Sequence, residues 1–232
     1  MRLNQLLFTQ GFGTRRECDG LIASGLVNIG GRVHDDPIET VDPQGLVFSV
    51  RGVEWPYRER ALIVLHKPAG FECSQSPKHH PSVYSLLPSP LRRRDVQAVG
   101  RLDADTTGLL LLTDDGALIH RLTAPKHHVA KVYEVVCRHP VDEAQAARLC
   151  AGVTLLDDPV PVRAAACAIT GANQLRMTLL EGKYHQVKRM LAAVGNRVEA
   201  LHRSAFGDWT LPADLTEGEW RWLPDNLPSS VA

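Results

Sequence analysis

The chain has 232 residues, of which 44% are hydrophobic, and this content is enough to bury a substantial core. Its 26 Lys and Arg balance 26 Asp and Glu, which argues against a protein that binds nucleic acid through bulk charge alone. No apolar run reaches the ~18 residues that a membrane span needs, and the N-terminus lacks the apolar core of a signal peptide. None of the five cysteines belongs to a Cys-x-x-Cys pair, so we expect a cytoplasmic protein without a disulfide framework or zinc ribbon.

Charge is unevenly distributed along the chain. Residues 1–51 hold 5 Lys and Arg against 6 Asp and Glu, whereas residues 52–207 hold 20 against 15. Nine of the ten histidines also lie in residues 52–207. The middle of the chain is therefore locally basic, which is weak evidence for an RNA partner.

The first fifty residues show short helix and hairpin patterns. Leucines at 3, 6 and 7 predict a helix over residues 3–10. Thr14-Arg15-Arg16-Glu17 predicts a capping box that begins a second helix, which runs through Ile22. Gly30-Gly31 predicts a two-residue hairpin turn between short strands, and another strand is expected near residues 46–50.

Composition changes at the end of this region and suggests a domain boundary. Residues 52–60 are polar and are interrupted by Pro56, which is typical of a linker. The apolar segment 61–65 then predicts a buried strand that leads into Lys67-Pro68-Ala69-Gly70. We therefore expect a small domain over residues 1–51, a linker over 52–60 and a larger domain over 61–232.

A polar loop between two apolar runs is the most informative segment of the larger domain. Ala98 and Val99 lead into Gly100, the polar segment 101–108 follows, and Leu109 to Leu112 form the second apolar run. This pattern predicts strand, exposed loop and strand, and such a loop presents side chains rigidly to a cleft. Asp103 in this loop is our candidate catalytic residue.

The remaining patterns predict an α+β domain on a mainly antiparallel sheet, without a nucleotide-binding glycine loop. Residues 73–95 are expected to be mostly loop. Helices are expected at 117–123, 142–150 and 186–194, and strands at 131–137, 175–179 and 198–201.

Three segments, in this order, resemble the motifs of the RsuA branch of the pseudouridine synthases. They are Gly100 to Leu109, Lys131-Val132-Tyr133, and Glu181 to Met190. The helix, helix and hairpin of the first domain, with paired arginines at a helix start, resemble the S4 RNA-binding fold. The resemblance implies a small S4-like domain followed by a pseudouridine synthase catalytic domain.

The resemblance implies a reaction and three catalytic residues. Uridine would be isomerised to pseudouridine in structured ribosomal RNA, without a metal or other cofactor, and small-subunit RNA is the favoured substrate. Asp103 aligns with the catalytic aspartate, and Lys188 aligns with the basic residue that pairs with it. A nearby cation of this kind favours the ionised form of the carboxylate. Tyr133 aligns with the tyrosine that could stack on the flipped uracil and take part in the C5 proton transfer.

Basic residues of both domains are expected to contact the RNA, although the S4-like domain is formally acidic. The expected contacts are Arg2, Arg15, Arg16, Lys67, Arg101, Lys126, His127, His128, His185 and Arg189. We expect the protein to act as a monomer, on ribosomal RNA within a small-subunit assembly intermediate.

Three alternatives stay open at the level of sequence. The substrate could be large-subunit ribosomal RNA, or the protein could bind RNA through its S4-like domain without catalysis. Asp103-Ala104-Asp105 also has the Asp-x-Asp spacing that can hold a divalent cation. The pairs His79-His80 and His127-His128 could add to such a site, but adjacent residues on a strand point to opposite faces, so each pair offers one ligand at most.

Overall fold

The computed structural model describes residues 1–156 and 158–224, and these fold into two compact units. The first unit comprises residues 1–62, 87–97 and 113–115, and the second comprises the other described residues. Residues 157 and 225–232 of the predicted catalytic domain lie outside the described part. No helix in that part is long and apolar enough to cross a membrane.

The first unit contains three helices and an antiparallel sheet. The helices are α1 (Leu3–Thr9), α2 (Arg15–Ala23) and α3 (Ser89–Arg93), and the strands are β1 (Val27–Ile29), β2 (Arg32–His34), β3 (Val47–Val50) and β4 (Val53–Pro56). The strand order is β2-β1-β3-β4. Leu3, Leu6 and Leu7 of α1 are fully buried, as their helical spacing predicts.

Local signals confirm the predicted start of α2 and the first hairpin. The Thr14 hydroxyl accepts from the Glu17 amide at 3.3 Å, and the Glu17 carboxylate accepts from the Thr14 amide at 2.6 Å. The hydrogen bond from the Thr14 amide, followed by that from Arg93, lowers the pKa of Glu17 to about 2. Gly30 and Gly31 both have positive φ, which a tight hairpin turn between right-twisted strands requires.

One prediction for this part of the chain needs correction. The segment 52–60, predicted as a linker, contains β4, which pairs with β3 through a turn at Arg51 and Gly52. Both turn residues have positive φ, and an arginine gives no sequence signal for that conformation.

The segment 73–95 is mostly loop, as predicted. It also contains the short helix α3, and residues 87–97 belong to the first unit. Pro90 near the start of α3 suits the first turn of a helix.

The second unit is built on a mixed, mostly antiparallel sheet, as predicted. The strands of this sheet are β5 (Leu62–Lys67), β6 (Gln97–Ala98), β7 (Thr107–Thr113), β8 (Lys131–Cys137), β11 (Ala166–Gly171), β12 (Gln174–Leu179), β13 (Val198–Phe206), β14 (Trp209–Thr210) and β15 (Trp220–Trp222). A separate two-stranded sheet pairs β9 (Val153–Leu155) with β10 (Asp158–Val162). The order in the large sheet is β11-β12-β8-β13-β7-β5-β15, with β6 beside β7 and β14 beside β13. Strands β13 and β7 are parallel.

Three α-helices and two short 3-10 helices complete the described part of this unit. The α-helices are α4 (Gly116–Thr123), α5 (Glu143–Ala151) and α6 (Gln186–Ala193), and the 3-10 helices are Val83–Leu86 and Pro125–His127. The core includes the apolar run Leu109 to Leu112 of β7, which is fully buried. The loop that carries Asp103 therefore enters a strand that is anchored in the core.

Candidate active site

A buried lysine holds the loop between β6 and β7. Lys67 has no exposed surface, and its ammonium donates to the carbonyl oxygens of Pro68 at 2.9 Å, Ala104 at 3.3 Å and Thr106 at 2.8 Å. Burial lowers the pKa of Lys67 below its ordinary value. The expectation that Lys67 contacts RNA is therefore wrong, because a fully buried ammonium committed to three carbonyls cannot reach a phosphate. Lys67 instead fixes the loop backbone that directly follows Asp103, at Ala104 and Thr106.

The Asp103 carboxylate lies beside two nitrogen groups from the segment that begins α6. Its Oδ2 is 3.3 Å from the Lys188 ammonium and its Oδ1 is 3.4 Å from His185 Nε2. The side chain of Asp103 is 29% exposed, so the carboxylate is neither buried in the core nor free in solvent. Asp103 and Lys188 are thus brought together, as the sequence analysis expected.

Lys188 also binds a second carboxylate, which the sequence analysis did not include among the site residues. Its ammonium is 2.7 and 2.8 Å from the two Asp105 oxygens. Burial alone would raise the pKa of Asp105, but the hydrogen bond and charge of Lys188 outweigh it and the pKa is lowered. Burial alone would lower the pKa of Lys188, but Asp105 and Asp103 together raise it. The Asp-x-Asp spacing is thus used to hold an ammonium that lies between the two carboxylates.

A narrow cavity of about 80 Å³ opens at Asp103. Tyr133, which is 8% exposed, lines it from β8. The other lining residues include apolar side chains and the cationic residues of the loop and of α6: Arg101, Leu102, Thr106, Leu179, Gly182, Lys183, His185, Gln186, Val187, Lys188 and Leu201. The cavity therefore combines one aromatic ring, apolar walls and a carboxylate between cationic groups.

A buried arginine supports the strands behind this cavity. Arg203 of β13 lies opposite both Tyr133 of β8 and Gly108 of β7 in the sheet register. Its Nε donates to the Leu109 carbonyl at 2.9 Å, and its guanidinium lies 5.0 Å from the Phe206 ring centre. Arg203 carries no sequence signal for this role, because an arginine in a strand is ordinarily exposed.

The segment that carries His185 is held by side-chain hydrogen bonds. Gln186 donates to the Glu181 carboxylate at 2.8 Å and accepts from the Lys183 amide at 2.8 Å. His185 has φ 49° and ψ 33°, a left-handed conformation that costs a non-glycine residue on the order of 1–3 kcal/mol. The surrounding contacts must offset that cost, and the result is an imidazole directed at Asp103.

Comparison with known proteins identifies the family of the chain. Residues 61–193 match the family model described as RNA pseudouridylate synthase, and residues 1–47 match the S4 domain. The chain belongs to the RNA pseudouridylate synthase family. The matched segments contain the loop of Asp103, the strand of Tyr133 and the helix of Lys188, so all three catalytic candidates lie within the family region.

Relatives of this synthase are similar over most of its length. The ribosomal small subunit pseudouridine synthase A of Haemophilus influenzae is 38% identical over 224 residues, which cover 96% of each chain. The protein of the same name from Yersinia pestis is 45% identical over 168 residues, 72% of this chain and 71% of its own. A crystal structure of a pseudouridylate synthase aligns with a TM-score of 0.68 and 36% identity, covering 97% of this chain and 96% of the other.

The other predicted RNA contacts of the synthase fall into three groups. Arg101 is exposed at the cavity, and Arg189 of α6 is half-buried and donates to the Tyr184 carbonyl at 2.9 Å. Lys126, His127 and His128 are exposed at the 3-10 helix between α4 and β8. Arg2, Arg15 and Arg16 are exposed on the first unit, where the Arg15 guanidinium lies 4.7 Å from the Phe8 ring centre. These positions are accessible, but contact with RNA stays a prediction.

A larger cavity of about 710 Å³ lies in the first unit of the synthase. Glu17 is the carboxylate among the described residues that line it, and this group caps α2 and pairs with Arg93 at 3.0 Å. Because the Glu17 carboxylate already makes these two interactions, it is not available for catalysis. In the described part of the chain, no group of three or more His, Cys, Asp or Glu side chains could hold a metal ion. The smaller cavity at Asp103 is therefore the candidate active site.

Proposed function

We propose that this synthase isomerises uridine to pseudouridine in the RNA of the small ribosomal subunit, with Asp103 as the catalytic carboxylate. The observation that carries the proposal is the Asp103 carboxylate at the mouth of an aromatic and apolar cavity, 3.3 Å from Lys188. The names of the relatives from Haemophilus influenzae and Yersinia pestis support the small subunit as the source of the substrate.

The reaction breaks the bond from ribose C1′ to uracil N1, rotates the base and joins C1′ to C5. C5 loses its proton and N1 gains one, so the reaction is an isomerisation. Asp103 either adds to C1′ as the base leaves and is displaced when C5 bonds to C1′, or takes the C2′ proton to form a glycal and returns it when the new bond forms. Both routes require an ionised carboxylate at the ribose. Lys188 favours the charged carboxylate, because an ammonium at this distance stabilises the anion.

Tyr133 would receive the uracil after the nucleotide leaves its stack. Its ring lines the cavity, where it can stack on the base, and its hydroxyl is the group we propose for the C5 proton transfer. Arg101 is exposed at the entrance of the cavity, where a guanidinium can hold a phosphate of the flipped nucleotide.

The partner we propose is ribosomal RNA in a small-subunit assembly intermediate, bound by a cytoplasmic monomer. The S4 domain supports an RNA partner, and Arg2, Arg15 and Arg16 are the phosphate contacts that we assign to it. We assign RNA binding to the domain predicted over residues 1–51 and catalysis to the domain predicted over residues 61–232, while β4 between them belongs to the sheet of the first unit.

The test is a site-resolved map of pseudouridine in both ribosomal RNAs of cells that lack the protein and are complemented with wild type or a variant. Wild type should restore pseudouridine at one small-subunit position. Asp103→Asn should restore it at none, because the substitution removes the charge of the carboxylate and keeps its volume. Asp42→Asn is the matched control, since Asp42 is an exposed turn carboxylate whose Oδ1 accepts from the Gln44 amide at 3.0 Å. An Asn amide oxygen retains that bond, so this variant should behave as wild type.

Two outcomes would contradict the proposal. Restoration of a large-subunit position in place of a small-subunit one would assign a different substrate, and ordinary turnover by Asp103→Asn would reject the catalytic carboxylate. Purified wild type should also keep its activity in a chelator, because the proposed mechanism uses no metal ion. Loss of activity there would favour the Asp-x-Asp metal site.

A further inference from the structure

An exposed aromatic ring lies on top of the imidazole that faces Asp103. The rings of Tyr184 and His185 stack with centroids 3.8 Å apart and planes inclined by 19°. His185 in turn places its Nε2 3.4 Å from Asp103 Oδ1. Tyr184 is 67% exposed, so one face of its ring is covered by the imidazole and the other is open.

The backbone that carries Tyr184 is held in place from several sides. Arg189 of α6 donates to the Tyr184 carbonyl at 2.9 Å, and the Lys183 ammonium binds the Asp158 carboxylate at 2.5 Å. The left-handed backbone of His185 follows directly, and α6 begins at the next residue. A ring on such a support loses little conformational freedom when a ligand stacks on it.

We propose that the open face of Tyr184 is a stacking subsite for an RNA base next to the target uridine. This inference rests on the proposed function, because it takes the nucleotide at Asp103 as the target. Flipping a uridine removes a stacking neighbour from the flanking base. An aromatic platform beside the cavity replaces that neighbour, and aromatic side chains stack on unpaired bases of any identity.

Charge near the ring is consistent with a nucleic acid strand. Arg101 is exposed at the cavity, while Arg189 donates to the Tyr184 carbonyl and Lys188 is held by Asp103 and Asp105. Arg101 can therefore hold a phosphate of the flipped nucleotide, while the ring receives the flanking base. The subsite therefore extends the RNA path from the cavity onto residue 184.

A purely structural role for Tyr184 makes a different prediction. If the ring only orients His185, its removal would change RNA affinity by the same factor on every RNA, or leave it unchanged on all of them. If it binds a flanking base, its removal has no further effect once that base is missing. Substrates with a single abasic nucleotide, placed in turn at each of the positions flanking the target uridine, separate the two roles.

The experiment measures the affinity of Tyr184→Ala and Tyr184→Phe for these RNAs, both in the Asp103→Asn background so that no product forms. On the intact RNA, Tyr184→Ala should bind about 5- to 150-fold more weakly, which is the range for one lost base stack, and Tyr184→Phe should bind as the parent does. At one abasic position the effect of Tyr184→Ala should disappear. Leu180→Ala, which removes another exposed apolar side chain of the same segment, should show no such dependence.

An equal loss for Tyr184→Ala on every RNA, or no loss on any of them, would overturn the subsite. Melting temperatures equal to that of the Asp103→Asn parent are expected for the Tyr184 and Leu180 variants, because both side chains are exposed. The outcome is separable from that of the proposed function. Wild type that gives no pseudouridine in small-subunit RNA would reject the reaction, whereas the affinity measurements need no turnover.

Discussion

Replacing Lys67 with methionine should destabilise the catalytic domain and the loop of Asp103 in particular. The substitution keeps most of the side-chain volume but removes a buried ammonium that donates to three backbone carbonyls at 2.8 to 3.3 Å. A hydrogen bond to a charged group contributes about 1.5 to 3 kcal/mol after solvation, but three bonds to one ammonium are not additive. Removing one partner of a buried charged interaction costs about 3 to 5 kcal/mol, which is the loss that we expect.

Thermal unfolding and single-turnover kinetics measure this loss. For a protein of this size, the expected destabilisation lowers the unfolding temperature by about 6 to 20 °C. Below both unfolding temperatures, Lys67→Met should also turn over more slowly with little change in RNA affinity, because the Asp103 backbone is no longer fixed. Lys78→Met is the control, since Lys78 is an exposed loop lysine. A Lys67→Met protein within about 1 kcal/mol of wild type would refute the assigned role.

Three further predictions concern other parts of the chain. Burial and then the charge of Arg203 lower the pKa of Lys131 from 10.5 to about 8. Between pH 8 and 10.5 the unfolded chain therefore holds the Lys131 proton more tightly than the folded protein does. The unfolding free energy of wild type should rise with pH in this range relative to that of Lys131→Met. A difference between the two proteins that does not change with pH would contradict this prediction. Gly108→Ala should lower the unfolding free energy measured by chemical denaturation by about 3 kcal/mol or more. The reason is that a Cβ at residue 108, where φ is +110°, would lie 2.3 Å from the Arg203 carbonyl oxygen. A Gly108→Ala protein with near wild-type stability would exclude that clash. Replacing Arg15 and Arg16 together by alanine should weaken RNA binding and reduce the slope of log affinity against log salt by about 2, and an unchanged slope would remove this helix start from the RNA path.

Elements with a local chemical signal were predictable from the sequence. The capping box at Thr14 and Glu17 lies within four residues, and β8 has the predicted bounds, Lys131–Cys137. The helix predicted over residues 186–194 is α6, and its end is signalled by Gly195. Such elements depend on neighbours in the chain, so composition and spacing are enough to find them.

Elements that depend on distant partners were missed. Strand β4 exists because it pairs with β3 across a turn at Arg51, whose positive φ has no sequence signal. Strands β9 and β10 pair only with each other in the described part of the chain and were not predicted. The edge strand β15 joins the sheet beside β5, more than 150 residues earlier, and no local pattern reports that pairing.

The sequence by itself determined the family region and its candidate carboxylate, because Asp103 lies in a loop whose flanking strands and motif are contiguous in the chain. The tertiary structure alone decided what surrounds that carboxylate. It gave Lys188 two partners, Asp103 and Asp105, and it buried Lys67 against the loop carbonyls. A charged side chain carries no sequence signal for its partner, since it is equally compatible with solvent, RNA or a carboxylate until folding brings one of them within reach.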